Sequence, residues 1–343
     1  MPLQVAYSTI AANEIARVVE ADYAFGPLAY CHLFQRGFND TYELGARSGA
    51  KYMARLSGRR YRGPANIAHE VAFLAHLRTC GLRVACALAG RDGRLWRDIE
   101  TPEGPRAFAV FEHLEGVTLS PTRVSKLDDA VIEDARLLGA EFARLHTAGE
   151  SYTGSPSLYR LDRDHLLARP ISQLLAAPRL DDTFRQAFSE LGATLGARLA
   201  QASPRLSPVA CHGDNHGGNT VFSGAPGARV AAWFDFDDCG PGFLAYDLAV
   251  FLWQLLGATS SASLNADGQA LWTAYLSGYR THRSIPDADF AAIALFVPTR
   301  HVLWMSEIVS RTDQTGVRVL SRDWLEPQLA MVRSWEGLVT PSA

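Results

Sequence analysis

Residues 211–236 read CHGDNHGGNTVFSGAPGARVAAWFDF. His212, Gly213 and Asp214 open the stretch, Asn219 follows five residues after the aspartate, and a strand-like run over 230–236 carries Asp235 near its end. Two carboxylates and a carboxamide therefore lie at the ends of a tight hairpin, a set that suits phosphoryl transfer. One carboxylate can orient an attacking hydroxyl and accept its proton. An amide oxygen and a second carboxylate can hold a divalent cation against a triphosphate. Hard oxygen donors favour Mg²⁺ over softer metals. Glycines 213, 217 and 218 let the loop fold sharply and bring its backbone close to a ligand. Two other readings stand beside this one. The stretch is a polar turn without chemistry, or His212-x-Asp214-x-His216 is a transition-metal hydrolase site. The hydrolase needs further histidine ligands, and His282 and His301 are isolated in the sequence.

Working outward, the chain before this stretch is rich in strand signals and the chain around and after it in helical ones. A helix is expected over 9–25. Strands follow over 29–36, 41–46 and 51–56, separated by Gly37, Asn39, Asp40 and by Ser48-Gly49. A helix over 66–79 sets Ile67, Val71, Leu74 and Leu77 on one face. Two more strands are expected over 83–89 and 106–112, with a turn at 101–105. The polar run 115–126 divides a first part, 1–114, from a second, 115–343. In the second, helices are expected over 127–146, 164–175, 181–201, 246–256, 265–279, 287–309 and 324–335. A strand–turn–strand island over 220–236 interrupts them.

The 343 residues are 48% hydrophobic and 20% charged with a net charge of -3, a globular composition without the basic excess of a dedicated nucleic-acid binder. The five cysteines form no CxxC pair, so neither a disulfide framework nor a zinc site is indicated and a reducing cytoplasm is the simplest setting. Residues 1–25 mix acids with apolar residues, unlike a secretory signal. No uninterrupted apolar run reaches the roughly 18–20 residues of a membrane span.

The pattern H-G-D-x-x-x-x-N followed by a strand and D-x-D resembles the signature of the aminoglycoside phosphotransferase and choline kinase-like superfamily. The later Gly240-Pro241 and Asp247-Leu248-Ala249 are similar to that family as well. The resemblance implies an α+β, protein-kinase-like bilobal fold, with a small antiparallel β-sheet lobe that binds nucleotide and a larger helical lobe. It implies Asp214 as catalytic base, Asn219 and Asp235 as Mg²⁺ ligands, Asp237 beside a second ion, and His212 and Asp247 as supports of the loop. His216 is placed near the substrate or phosphates.

In the first part, Gly37 and Asn39 match the phosphate-covering turn of the family. The third strand offers Arg55 where the family carries a lysine, with Lys51 as the other candidate. Glu70, at the start of the next helix, is the expected partner of that cation. The backbone of Glu112 and Leu114 resembles the purine-binding hinge. Late in the chain, Arg300, Trp304, Glu307 and Arg311 follow steps of four, three and four, so they share a helix face. That face either lines an acceptor pocket or is solvated.

The resulting expectation is a kinase that moves the γ-phosphoryl group of ATP or GTP, with Mg²⁺, onto a hydroxyl of a small molecule: an antibiotic, an amino alcohol, a sugar or a hydroxy-amino acid. No nucleic-acid or membrane partner is expected. The alternatives are a Ser/Thr kinase of peptides or proteins and a non-catalytic nucleotide-binding protein, which would account for Arg55.

Overall fold

The computed structural model describes residues 3–225, 227–259 and 261–342. Its first part contains α1 (Ala12–Asp22), β1 (Leu28–Arg36), β2 (Asp40–Ala46), β3 (Lys51–Leu56), α2 (Ile67–Thr79), β4 (Arg97–Thr101) and β5 (Gly104–Glu112). The strands form one antiparallel sheet in the order β1-β2-β3-β5-β4. Side chains alternate across it. Tyr42, Leu44, Ala54, Leu56, Phe108 and Val110 face α1, which meets them with Ile15, Val19 and Tyr23 at helical spacing. Burying each such side chain contributes about 1.5–3 kcal/mol. Ala109 and Phe111 face the other way. They join Ile67, Val71, Leu74 and Leu77 of α2 in a core continuous with the rest of the molecule. Arg55, between Ala54 and Leu56 on β3, is thereby turned toward α2.

One strand differs from expectation. Residues 83–89 run extended but form no ladder. Ala85 N–H donates to the Trp233 carbonyl and Leu88 N–H to the Val110 carbonyl, each at 2.8 Å, so the segment divides its hydrogen bonds between two sheets. The fifth strand is β4, whose sequence RDIET holds a single apolar residue, Ile99.

The second part comprises β6 (Val117–Thr118), α3 (Pro121–Val124), α4 (Asp129–Gly149), a π-turn (Asp164–Ala168) running into α5 (Arg169–Leu175), α6 (Asp182–Ala202), β7 (Pro208–Cys211), β8 (Thr220–Ser223), β9 (Val230–Trp233), β10 (Gly240–Phe243), α7 (Leu244–Thr259), α8 (Ala266–Arg280), α9 (Asp287–Val309), α10 (Thr312–Thr315) and α11 (Arg322–Ser334). Three helices start where a side-chain oxygen caps them. Asp128, Asp181 and Asn265 accept from the backbone N–H of Val131, Thr183 and Gly268. The fold is thus the expected small antiparallel sheet followed by a mainly helical part.

The strand expected over 230–236 stops at Trp233, so Asp235 lies beyond it. Pro226, in the turn before it, is outside the described residues. Two short pairings, β7 with β10 and β6 with β8, have too few residues to show in sequence. α9 is long and apolar enough to cross a membrane by length and composition, although Arg300 and His301 interrupt its apolar run. Within the fold, 89% of its apolar window is buried, as in a core helix.

Candidate active site

β7 and β10 pair antiparallel, with Cys211 opposite Gly240, and so clamp both ends of residues 212–239. Gly213 turns the chain with φ +88°, and a Cβ there would lie 2.2 Å from the Asp238 carbonyl oxygen. Asp247, fully buried in the first turn of α7, accepts the backbone N–H groups of His212 at 2.8 Å and Gly213 at 2.9 Å. His146 Nε2 lies 3.0 Å from the same carboxylate, and its Nδ1 is 2.9 Å from the Tyr279 hydroxyl. Asp247 thus ties the start of the loop to α7 and, through His146, to α4.

His212 is also a support. Its Nε2–H donates to the Phe234 carbonyl at 3.2 Å and its Nδ1 accepts the Asp214 N–H at 3.3 Å. Burial lowers its pKa, which keeps the ring neutral. With both nitrogens engaged it has no lone pair for a metal. His216 likewise spends Nδ1 on the Gly218 N–H. Among the described residues no three His, Cys, Asp or Glu side chains gather to hold a metal. These observations remove the basis of the hydrolase reading.

Asp214 stands at the mouth of the loop. Asn219 Nδ2 donates to its carbonyl at 3.0 Å, and His216 Nε2 lies 3.8 Å from its Oδ2. Its Oδ1 accepts a hydrogen bond from Arg300 of α9. Arg300, expected on an acceptor wall, is thus bound to the candidate base.

Beyond β9 the chain bends at Asp235, which has a left-handed φ of +62°. Its Oδ1 faces Arg55 Nη1 at 3.5 Å. Desolvation, then the Asp237 carboxylate, push its pKa well above the usual carboxylate range, and Arg55 offsets this only in part. Asp237 does not stand free for a second ion. It accepts from Asn39 Nδ2 at 2.7 Å and from Arg60 Nη2 at 2.9 Å. Asp238 takes Arg60 Nη1 at 2.7 Å and an ion pair with Arg62. Burial alone would raise its pKa, but Arg62, Arg60 and Arg300 hold it far below the usual range.

Six carboxylates, those of Glu70, Asp214, Asp235, Asp237, Asp238 and Glu307, thus converge with four guanidiniums, those of Arg55, Arg60, Arg62 and Arg300. The crowding of carboxylates, which raises the pKa of Asp235, Glu70 and Glu307, and the all-oxygen donors fit a hard divalent cation. Asn219, whose Nδ2 is committed to the Asp214 carbonyl, and Asp235 would hold such an ion. Phosphates and water would complete its shell.

On the sheet side, Arg55 and Glu70 form a closed pair. Arg55 Nη1 donates to Glu70 Oε1 at 2.9 Å and its Nη2 to Oε2. Lys51 is outside this pair, 4.0 Å from Glu115 and exposed. Gly37 N–H bonds the Asn39 carbonyl at 2.9 Å across the β1–β2 turn, and Asn39 Oδ1 accepts the Gly58 N–H at 3.0 Å. At the hinge, Glu112 N–H is committed to the Cys86 carbonyl at 3.0 Å, which leaves its own carbonyl and the backbone of Leu114 as the groups for a purine.

The shared face of α9 is only partly present. Glu307 is buried with its Oε2 unpaired, and its pKa is raised by burial against the lowering effect of Arg60 and Arg62. Trp304 stacks on Trp324, with ring centroids 6.0 Å apart. Arg311 lies past the end of the helix, over the Phe38 ring at 5.1 Å. Arg60, Arg62 and Asp238 are residues that sequence reasoning passed over. The density of arginine over 55–62 and the run Asp235-Phe236-Asp237-Asp238 were the signals available for them.

A small antiparallel sheet, a helical part and a loop that brings Asp214, Asn219 and Asp235 together fit a phosphotransferase of the protein-kinase-like class. The chain belongs to the APH phosphotransferase enzyme family, whose model matches residues 33–285. It is 36% identical to an uncharacterized protein of Deinococcus radiodurans, over 96% of this chain and 91% of that one. It is 27% identical to a homoserine kinase of Sinorhizobium medicae, over 97% of this chain and 95% of that one. Among solved structures, the amicoumacin kinase hAmiN, in complex with AMP-PNP, Ca²⁺ and Ami, superposes with a TM-score of 0.73 at 20% identity. That match covers 98% of this chain and 96% of the other.

Proposed function

We propose that the protein is an ATP- and Mg²⁺-dependent kinase of a small hydroxylated molecule, with nucleotide carried by residues 1–114 and acceptor by 115–343. The observation that carries this reading is the loop itself, where Asp214 is open at Oδ2 and Asn219 and Asp235 lie behind it toward Arg55. Asp214 accepts the acceptor's proton as the acceptor oxygen bonds to the γ-phosphorus. The bond from that phosphorus to the bridging oxygen breaks, and its electrons leave on ADP. Asn219 and Asp235 hold the Mg²⁺, which neutralises phosphate charge. Arg55, fixed by Glu70, faces the α- and β-phosphates beneath the Gly37–Asn39 turn, and Glu112 and Leu114 meet the purine.

A small acceptor, rather than a peptide, is favoured by the relatives, a homoserine kinase and an amicoumacin kinase. The five unpaired cysteines support a cytoplasmic setting. The test is a ³¹P-NMR or mass-spectrometric screen of hydroxy-amino acids, amino alcohols, sugars, antibiotics and peptides with ATP and Mg²⁺. A phosphorylated small molecule is expected. Phosphorylation of peptides alone would replace this reading.

A further inference from the structure

The loop 212–219 carries the candidate base and a metal-binding amide but no lysine or arginine. The neighbouring cations are held by carboxylates of their own, and Arg55 keeps only its Nε without a partner. Arg55 spends both Nη groups on Glu70, and Arg60 and Arg62 are paired with Asp237 and Asp238. During transfer, however, the Asp214 carboxylate and the γ-phosphoryl oxygens come within one acceptor oxygen of each other. Two like charges at that distance repel strongly in a cleft that excludes water.

The fold brings one guanidinium to that point. Arg300 is 6% exposed, donates through Nη2 to Asp214 Oδ1, and has a buried Nε with no partner. Its plane lies over the Trp253 ring, 5.0 Å from the centroid. Trp253 is fixed in turn, because its indole N–H donates to His301 Nδ1 at 3.1 Å. His301 Nε2–H donates to Gln328 Oε1 of α11 at 3.0 Å. Burial takes the His301 pKa down to about 4, so the ring is neutral and holds this tautomer. A run of hydrogen-bonded and stacked side chains from α11, with His301 buried at its centre, therefore orients one cation at the base, and an unpaired donor on that cation remains unspent.

We propose that Arg300 is a catalytic residue, which holds Asp214 through one nitrogen and presents the rest of its guanidinium to the oxygens of the transferring phosphoryl group. The base and the phosphoryl then share one positive charge. Arg300 exchanges neither proton nor electrons; the bonds made and broken are those of the kinase reaction above. The inference rests on the assignment of Asp214 as base.

The test compares binding of Mg²⁺·ADP with and without aluminium fluoride, a planar mimic of the transferring group, by calorimetry on the full chain. Wild type, Arg300→Met and Arg300→Lys are measured, each with its melting temperature. The wild type should bind ADP more tightly with fluoride present. Arg300→Met should lose about 10²-fold of that enhancement, with Mg²⁺·ADP affinity within about twofold of wild type. Arg300→Lys, which keeps the charge and folds if Met does not, should recover part of it. Three results overturn the proposal: an enhancement unchanged in either variant, an equal loss of plain ADP affinity, or no enhancement in the wild type. Asp214→Asn, followed by slow Mg²⁺·ATP hydrolysis, tests the underlying assignment separately. Full hydrolysis in that variant sinks the base, whatever Arg300 does.

Discussion

Two buried arginine–carboxylate pairs stand on opposite sides of the cleft, and they are built differently. Arg55 and Glu70 come from adjacent elements, 15 residues apart, and meet fork to fork, so both carboxylate oxygens are filled. The Glu70 side chain is 1% exposed. Arg300 and Asp214 are 86 residues apart and meet through one nitrogen and one oxygen. The Asp214 side chain is 21% exposed, and its Oδ2 has only His216 Nε2 nearby, at 3.8 Å. A closed pair fixes a charge in place. A half-open pair leaves a lone pair for chemistry. The same two chemical groups thus serve as a clamp on one side and, in the proposed mechanism, as a reactive group on the other, and the number of hydrogen bonds separates the roles.

The comparison breaks most visibly at Asp214. Asp214→Asn should lower kcat by about 10²–10⁴-fold, the range for a general base, with nucleotide affinity little changed. Asp235→Asn should weaken Mg²⁺-nucleotide binding as well as turnover, as titration by calorimetry would show. If the two phenotypes were exchanged, so would be the roles.

On the closed side the loss should appear in stability. Glu70→Leu strands a buried guanidinium and should cost about 3–5 kcal/mol in urea unfolding. Adding Arg55→Met should restore much of that, since a buried pair replaced by apolar groups is often near neutral. A Glu70→Leu protein of wild-type stability would show that the pair is not a clamp.

The third effect is smaller and depends on pH. His301, behind Arg300, has a folded pKa of about 4 against an ordinary value near 6.5. Its contribution is complete above pH 6.5 and is lost as pH falls toward 4, because the unfolded ring takes up a proton that the folded ring refuses. The difference in stability between wild type and His301→Gln should therefore shrink over that window by at most about 3 kcal/mol. A pH-independent difference would place the ring's protonation outside the relay. Least of all should change with Lys51→Ala. That side chain is exposed and 4.0 Å from Glu115, so stability should stay within about 0.5 kcal/mol. A large loss of nucleotide affinity would return the third-strand cation to Lys51.

The closed pair was legible in the sequence because its members sit on successive elements whose faces follow from strand alternation and helix periodicity. Asp214, Asn219 and Asp235 were legible for a similar reason, since a short loop and a hairpin fix their spacing. Arg300 was visible as a residue on an apolar helix, yet nothing local says that it crosses to the base. That contact depends on how α9 packs against the loop. Residues 83–89 have strand composition, but their partners alternate between β5 and β9, which lie far apart in the chain. β4 is an edge strand with one apolar side chain, so burial left almost no mark on its sequence.

The left-handed backbone of Asp235 has a consequence for how such a protein changes over generations. An L-residue in that conformation gives up about 1 kcal/mol that glycine would not. Asp235→Gly would relax the bend and remove one carboxyl from a crowd of carboxylates, while deleting the proposed metal ligand. Screening variants for heat resistance alone would thus favour loss of this residue. In the proposed mechanism, keeping Asp235 gives up a firmer fold for turnover.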